Sequence, residues 1–524
     1  AGATQKRPQR TSINHLRRRG GRAQNTQSMS RTRGLAAAAG RALAAARAPG
    51  GPGPITAGRV GGVGATPRPT RNLRTPTAPL PTRNAAGAGR AGSAQQRATA
   101  RPCRPTAMGW REHSSAAAEQ PLIDSHVAET NTAGAESDVS TRAPRWFRQA
   151  DCTVQDLERR CHKATRLHDY PFATEVAANI LIYDKELLPS TTSEAADFYV
   201  SEVIDVLATG PGVLVVRGAF EHDVIDRTTA TFESIIASEK ETSMGGGDHF
   251  AASGVNDRVW NAMEKLALAD PRAFVDYYEN DIFALISRAW LGPGYQITSQ
   301  VNVVGPGSNG QGMHRDYHLG FQGPAASEAY PAHIHQMSPM LTLQAAVAHV
   351  DMPLETGPTT FLPYSQTYLE GYLATHRDDF KEFYSEQCVQ LPLAKGDLVV
   401  FNPATFHAAG RNTTESTRRV ANLLQVSSPF GRAMETVDRA RVCSAIYPHL
   451  LDSVAAGGYT SSVANAVAAA AEGYAFPTNL DTDGPREGAV PASQADIVAE
   501  SLRAQLPVDR FAATLARQSA NRRS

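Results

Sequence analysis

The stretch QGMHRDYHLGFQ at residues 311–322 decides how the chain reads, together with KGDLVVFNPATFHAAGRNTTESTRRVANLL at 395–424. His314 and Asp316 are separated by one residue, and on an extended backbone alternate side chains share a side, so both point into one space. His407 follows the apolar run LVVFNPATF, which predicts a second strand. One carboxylate and two imidazoles are the ligand set of a non-haem ferrous centre with open coordination positions. Fixed ligands hold such an ion, and the open positions are where activation takes place. An H-x-D pair alone is common by chance. Here an extended strand (QITSQVNVV) and a Gly-rich turn (GPGSNGQG) lead into it. Eleven residues past His407 stands Arg418, assigned as the clamp for the distal carboxylate of a 2-oxo acid because a guanidinium binds carboxylate with a planar fork. Arg419 is the alternative, since neighbours on a strand face opposite ways.

Composition limits the function classes. The net charge of +1 over 524 residues hides an asymmetry: residues 1–111 hold one Lys, twenty Arg and no acid. Of the 52 basic residues, 31 remain beyond 111 against all 51 acidic ones, so that part is acidic and has no reason to prefer nucleic acid. Five scattered cysteines (103, 152, 161, 388, 443) suit neither a disulfide framework nor a thiolate metal site and point to a reducing, cytoplasmic setting. No apolar run approaches the length of a membrane span, and the start lacks a signal peptide's apolar core.

Residues 1–140 are expected to be disordered, being rich in Arg, Ala, Gly and Pro with few large apolar side chains. Three origins stay open for the basic segment: a mitochondrial or plastid transit segment, a tail touching nucleic acid or anionic membrane, or translated upstream sequence with the start near Met108. A helical lead-in is expected over 141–194, with helical periodicity over 146–167 and 173–189 read as helix, or helix then turn. The catalytic domain is placed at 195–430. Within it a helix over 192–210 precedes the strand 212–220 and a helix over about 222–240. The glycine-rich loop 240–254 suits a flap, and 255–292 reads as helical. Strands follow from Tyr295, and a helical extension occupies 431–524.

Taken together, these pieces resemble the phytanoyl-CoA dioxygenase-like branch of the Fe(II)/2-oxoglutarate oxygenases. The motifs are NVVGPG (302–307), HRD (314–316), ETGPTTFLPYSQTY (355–368), KGDLVVFNPATFHAAGRN (395–412) and Arg418. The resemblance implies a mainly β double-stranded β-helix, a jelly roll of cupin type, with flanking α-helices. It implies Fe(II), 2-oxoglutarate and O2, and hydroxylation of a small molecule with release of succinate and CO2. It also implies a polar cosubstrate or substrate contact from the strand before H-x-D, Gln300 or Asn302. Asp316 is intact, which favours a hydroxylase over a halogenase of this superfamily. The segment LPYSQTY departs from the usual pattern, with Gln366 where a His often stands, and Thr356-Gly357 replaces the usual Asn-Gly.

Tyr317, His318 and Gln366 are the candidate substrate contacts. His333-x-His335 has metal-like spacing but no third partner, and His349 reads as a core or rim histidine. Asn402, Asn412 and Asp397 are expected to fix turns around His407. The competing readings are a non-catalytic metal-binding or sensor domain and a cupin-type metalloenzyme that needs no 2-oxoglutarate. Substrate identity and oligomeric state are not readable.

Overall fold

The computed structural model describes residues 145–191, 193–242, 256–485 and 488–523. The basic segment, Cys103, Met108 and nearly all of the proposed flap lie outside the described residues. The order of elements begins α1 (Val154–Cys161), β1 (Glu175–Ala177), β2 (Ile180–Asp184), α2 (Glu194–Ala208), β3 (Val213–Arg217) and α3 (His222–Thr242). It continues β4 (Asn256–Val259), α4 (Ala262–Ala269), α5 (Pro271–Tyr278), α6 (Asp281–Leu291), β5 (Gln296–Val304), α7 (Pro324–Glu328), α8 (Ala332–Met337) and β6 (Thr342–Ala348). Then come β7 (Thr359–Leu362), α9 (Gly371–Ala374), α10 (Asp378–Gln387), β8 (Val389–Gln390), β9 (Leu398–Phe401), β10 (Phe406–Ala409) and β11 (Arg419–Ser427). Four helices follow: α11 (Arg439–Gly457), α12 (Ser461–Ala470), α13 (Gln494–Arg503) and α14 (Val508–Asn521).

The expectation of a mainly β, closed jelly roll is corrected. Among the described residues helix accounts for 47% and strand for 17%, and the sheets are open. Eight strands run β1-β2-β3-β9-β6-β11-β5-β4, and a separate sheet runs β10-β7-β8. The smaller sheet's strands are four, four and two residues long and pair only with one another. The larger sheet's second face is covered by helices instead. Leu343, Ala345 and Val347 of β6, with Val420, Leu424 and Val426 of β11, join residues of α2–α6, α11 and α12 in one buried cluster. Their alternation with Gln344, Ala346, Ala421 and Leu423 is the period of two that separates a helix-packed face from a cavity face.

Two sequence readings fail locally. Residues 173–189 are not helical: β1 and β2 form a hairpin whose two turn residues, Ala178 and Asn179, have φ of 50° and 66°. Paired positive φ is what a two-residue hairpin turn of the strand-matching hand requires, and Asn supports it well. β2 then pairs in parallel with β3 through the crossover helix α2, extending the large sheet. Secondly, the start of 255–292 is strand rather than helix, because β4 takes the sheet edge beside β5. In 146–167 only α1 is a full helix, N-capped by Thr153. The strands read from Tyr295 onward are present, but α7–α10 interrupt a stretch expected to be all β; the helices after 430 are present, with α14 added.

The cavity face of the large sheet carries two chemistries in register. One row across the strands is Gln300, Leu423, Ala346, Val399 and Val215. A neighbouring row is Gln425, Gln344, Phe401 and Val213, and a third begins Arg258, Asn302 and Ala421. Polar side chains therefore gather on β4, β5 and the adjoining part of β11 and β6, and apolar ones on β9, β3 and β2. Phe361 of β7 packs on Phe401 at a ring-centroid distance of 5.0 Å, bringing the small sheet over the apolar half.

Candidate metal centre

Backbone pairing brings the two histidine segments together. His314 and His407 form an isolated antiparallel bridge, with N–H···O distances of 3.0 and 3.2 Å. The Asp316 amide donates to the Pro403 carbonyl at 3.2 Å. With the chain extended through 314–316, His314 and Asp316 share a side and Arg315 takes the other. Each imidazole is oriented by its own neighbourhood: Nδ1 of His314 lies 2.8 Å from the Gly312 carbonyl, and Nδ1 of His407 lies 2.9 Å from the Thr405 carbonyl. A carbonyl can only accept, so Nδ1 carries the proton in each ring and Nε2 keeps its lone pair.

Those two Nε2 atoms face one carboxylate. His314 Nε2 is 3.6 Å from Asp316 Oδ1, and His407 Nε2 is 3.5 Å from Asp316 Oδ2. All three potential ligand atoms lie within 4.8 Å of one another. Adjacent donors on a six-coordinate ion sit roughly 3 Å apart, given bonds of about 2.1 Å, so the cluster fits a facial metal site with a small side-chain adjustment. Gln344 on β6 donates Nε2 to Asp316 Oδ2 and fixes the carboxylate plane.

The electrostatics give the protonation states a cation needs. Burial, with His407 adding to it, pushes the His314 imidazole below its ordinary value despite Asp316 nearby. Burial alone would raise the Asp316 carboxyl. In the metal-free protein the hydrogen bond and charge of protonated His407, then His314 and Gln344, outweigh it and hold the group below the usual carboxylate range; a bound cation would take that place once Nε2 gives up its proton.

The cluster opens into a cavity of about 560 Å³. Gln300 and Asn302 both line it, two residues apart on the same face of β5. Arg258 donates Nη1 to Gln300 Oε1 at 2.9 Å, and its guanidinium lies 5.1 Å from the Trp260 ring centre. Phe321 stands at the rim, more than half exposed.

The two arginines are placed differently. The Arg418 side chain is 51% exposed and lies 3.6 Å from Asp257 Oδ2 on the surface. Arg419 is 6% exposed and lines the cavity, opposite Val304 in the ladder. Its Nη1 donates to the carbonyls of Thr356 (3.1 Å) and Gly410 (3.4 Å), while burial pushes its guanidinium down to about 10, still cationic at neutral pH.

The three candidate substrate contacts also fall elsewhere. Tyr317 is buried outside the cavity wall, at φ 63°, and burial raises its phenol well above the ordinary value. His318 pairs Nδ1 with Ser338 Oγ at 3.0 Å, beside the cavity rather than lining it. Gln366 donates to the Gly210 carbonyl at 2.9 Å and lies over Gly212, tying its turn to the start of β3. Of residues 317–322, Gly320 and Phe321 line the cavity.

Secondary expectations resolve plainly. His333 is exposed, whereas His335 is buried against the Ser327 carbonyl at 3.0 Å, so the two form no metal pair. His349 is a satisfied core residue between Thr229 Oγ1 (2.8 Å) and Tyr277 OH (3.1 Å). Asp397 accepts from the amides of Gly218 and Ala394, and Asn402 and Asn412 tie their turns through backbone carbonyls. The sequence reading missed Arg258, Trp260, Gln344 and Gln425, and named Arg419 only as an alternative. Their signal was the strand parity, legible once one anchor per strand is known.

Residues 209–420 match the family model "Phytanoyl-CoA dioxygenase (PhyH)". Among curated proteins the chain is 24% identical over 223 residues to "Dioxygenase trt7" of Aspergillus terreus, covering 42% of this chain and 71% of that one. It is 26% identical over 277 residues to "Iron/alpha-ketoglutarate-dependent dioxygenase ausU" of Aspergillus calidoustus, covering 49% and 82%. Similar solved structures include the non-heme alpha ketoglutarate dependent carbocyclase SnoK from nogalamycin biosynthesis, at 19% identity and TM-score 0.33, over 45% of this chain and 84% of that one. HygX from Streptomyces hygroscopicus, with nickel and 2-oxoglutarate bound, is 14% identical at TM-score 0.31, over 45% and 90%.

Proposed function

We propose, from a fold that is phytanoyl-CoA dioxygenase-like and of the Fe(II)/2-oxoglutarate dioxygenase superfamily, that the cavity houses an Fe(II)- and 2-oxoglutarate-dependent hydroxylase acting on a small molecule. The observation that carries this reading is the convergence of His314, Asp316 and His407, with a buried, inward-facing Arg419, on one cavity. When bound, iron, 2-oxoglutarate and O2 supply oxidation of a C–H bond with release of succinate and CO2.

The chain's own residues position and shield. His314 and His407 present Nε2 because their Nδ1 protons are committed to backbone carbonyls. Gln344 holds the Asp316 carboxylate in orientation. Arg419 keeps the Nε/Nη2 edge of its guanidinium for a carboxylate fork, as Nη1 is committed to Thr356 and Gly410. Phe361, Val399, Phe401 and Met352 wall the apolar half and exclude water, which strengthens every charge interaction inside. Gln300, Asn302 and Arg258 form the polar wall on the other side, available to orient a substrate. A volume of about 560 Å³ suits a small-molecule ligand.

The test is O2-dependent formation of succinate from 2-oxoglutarate by Fe(II)-loaded protein, run with a panel of small molecules that accelerate the decarboxylation. Activity that needs Fe(II) and disappears in H314A and D316A supports the reading. Unchanged succinate formation in either variant refutes it.

A further inference from the structure

Between the two ligands of the H-x-D pair lies the most enclosed large side chain of the region. Arg315 is fully buried, and no carboxylate among the described residues comes within ion-pair distance of it. Its Nη2 donates to the carbonyls of Ser365 (2.6 Å) and Tyr368 (2.8 Å). Its guanidinium lies 5.1 Å from the ring centre of Tyr372 and 4.7 Å from that of Phe406. Phe406 is the residue immediately before the ligand His407.

Two glycines fit around the same residue. A Cβ on Gly371 would lie 2.0 Å from the Arg315 Cζ and within 2.4 Å of both terminal nitrogens, and meets no atom of another residue as closely. A Cβ on Gly320 would lie 2.1 Å from the Arg315 carbonyl oxygen. A buried cation without a carboxylate is expensive unless its surroundings are built for it. Here two carbonyls, two aromatic faces and the absence of a side chain at Gly371 are assembled around one guanidinium.

We propose that Arg315 is a positioning residue for the metal centre. It pins the outward side of the His314–Asp316 segment to the 365–372 turn and to the strand of His407, so that all three ligands are set by one clamp. The inference rests on the metal-centre reading above. The residue borders the cavity, but its guanidinium is held among Ser365, Tyr368, Tyr372 and Phe406, none of which lines it, so its effect on the metal site runs through the direction of its neighbours. A residue that only supported folding would change stability and leave the coordination unaltered.

The experiment is titration of the purified full chain with Co(II), following the visible absorption of the bound ion for both affinity and band positions, beside thermal unfolding of the metal-free protein. R315M is expected to weaken Co(II) binding about ten- to a hundredfold, the range for partners that orient metal ligands, and to shift the bands. R315K keeps the charge without the planar fork and is expected to fall between. G371A is expected to weaken binding about tenfold, and to add less than about twofold in the R315M background, since the guanidinium it displaces is then gone. Wild-type protein without a saturable Co(II) site overturns the metal-centre reading itself. Wild-type binding with unchanged affinity and bands in R315M and G371A overturns only the positioning role. Should R315M fail to fold, G371A decides; failure of both to fold marks Arg315 as a folding element and overturns the proposal.

Discussion

Arg418 and Arg419 differ by one position and by everything that matters for binding a carboxylate. Replacing Arg419 by Gln removes a cation that is 6% exposed and lines the cavity. A charge-assisted fork on a buried carboxylate contributes about 3 kcal/mol, at the lower end of what truncating a buried charge pair costs. R419Q is therefore expected to raise the KM for 2-oxoglutarate roughly a hundredfold. R419K, which keeps a point charge without the fork, is expected to raise it about tenfold. Arg418 is 51% exposed and its contact with Asp257 is 3.6 Å long on the surface, an arrangement worth about 0–1 kcal/mol. R418Q is expected to leave the KM within about threefold. The assay is initial-rate succinate formation over a 2-oxoglutarate titration, with thermal unfolding to check that each variant folds. An R418Q effect equal to or larger than that of R419Q would refute the assignment.

Three further outcomes are expected. Q344L removes the donor that orients Asp316 and is expected to weaken Fe(II) binding about tenfold or more, read by anaerobic titration; unaltered affinity contradicts that role. His349 is neutral in the fold, its pKa lowered to about 3 by complete burial, so the unfolded chain takes up a proton first as pH falls below the ordinary value of 6.5. Stability is lost between those two values at up to about 1.4 kcal/mol per pH unit from this group, and H349Q, compared with wild type in urea unfolding at pH 7 and pH 5, is expected to show a shallower loss; equal losses contradict it. H335A is expected to destabilise by about 1–3 kcal/mol while leaving metal affinity unchanged, and H333A to alter neither stability nor metal affinity, because of the two only His335 is buried and bonded, to the Ser327 carbonyl.

The cluster of His314, Asp316 and His407 was legible because its signal is local: His314 and Asp316 sit two apart, and His407 follows the apolar run that contains β9. The arginine was not, because the choice between Arg418 and Arg419 is a question of strand parity. In RVANLLQVS the alternation is blurred by Asn422 and Leu423. Asn422 faces the helices and donates to Tyr277 OH at 3.2 Å, while Leu423 faces the cavity side, so hydrophobicity alone points the wrong way. The hairpin over 175–184 was hidden by an apolar run that suits either period, and its turn lay in the dihedrals of Ala178 and Asn179. β4 escaped notice because a four-residue edge strand with Asn, Asp and Arg has no apolar pattern of its own. The closed barrel failed as an expectation for a similar reason. Strand lengths and sheet closure are set by packing: helices cover one face of the large sheet, and the three-stranded sheet reaches the other without the two closing into one.

The central claim is that one cavity binds Fe(II) through His314, Asp316 and His407 and 2-oxoglutarate beside it. The most direct measurement is anaerobic titration of the Fe(II)-loaded chain with 2-oxoglutarate, watching for the visible charge-transfer absorption of the iron chelate. The account predicts a saturable band in wild type, weakened apparent affinity in R419Q, and no band in H314A or D316A. A wild-type protein that develops no band, or a D316A variant that develops it in full, would contradict the account.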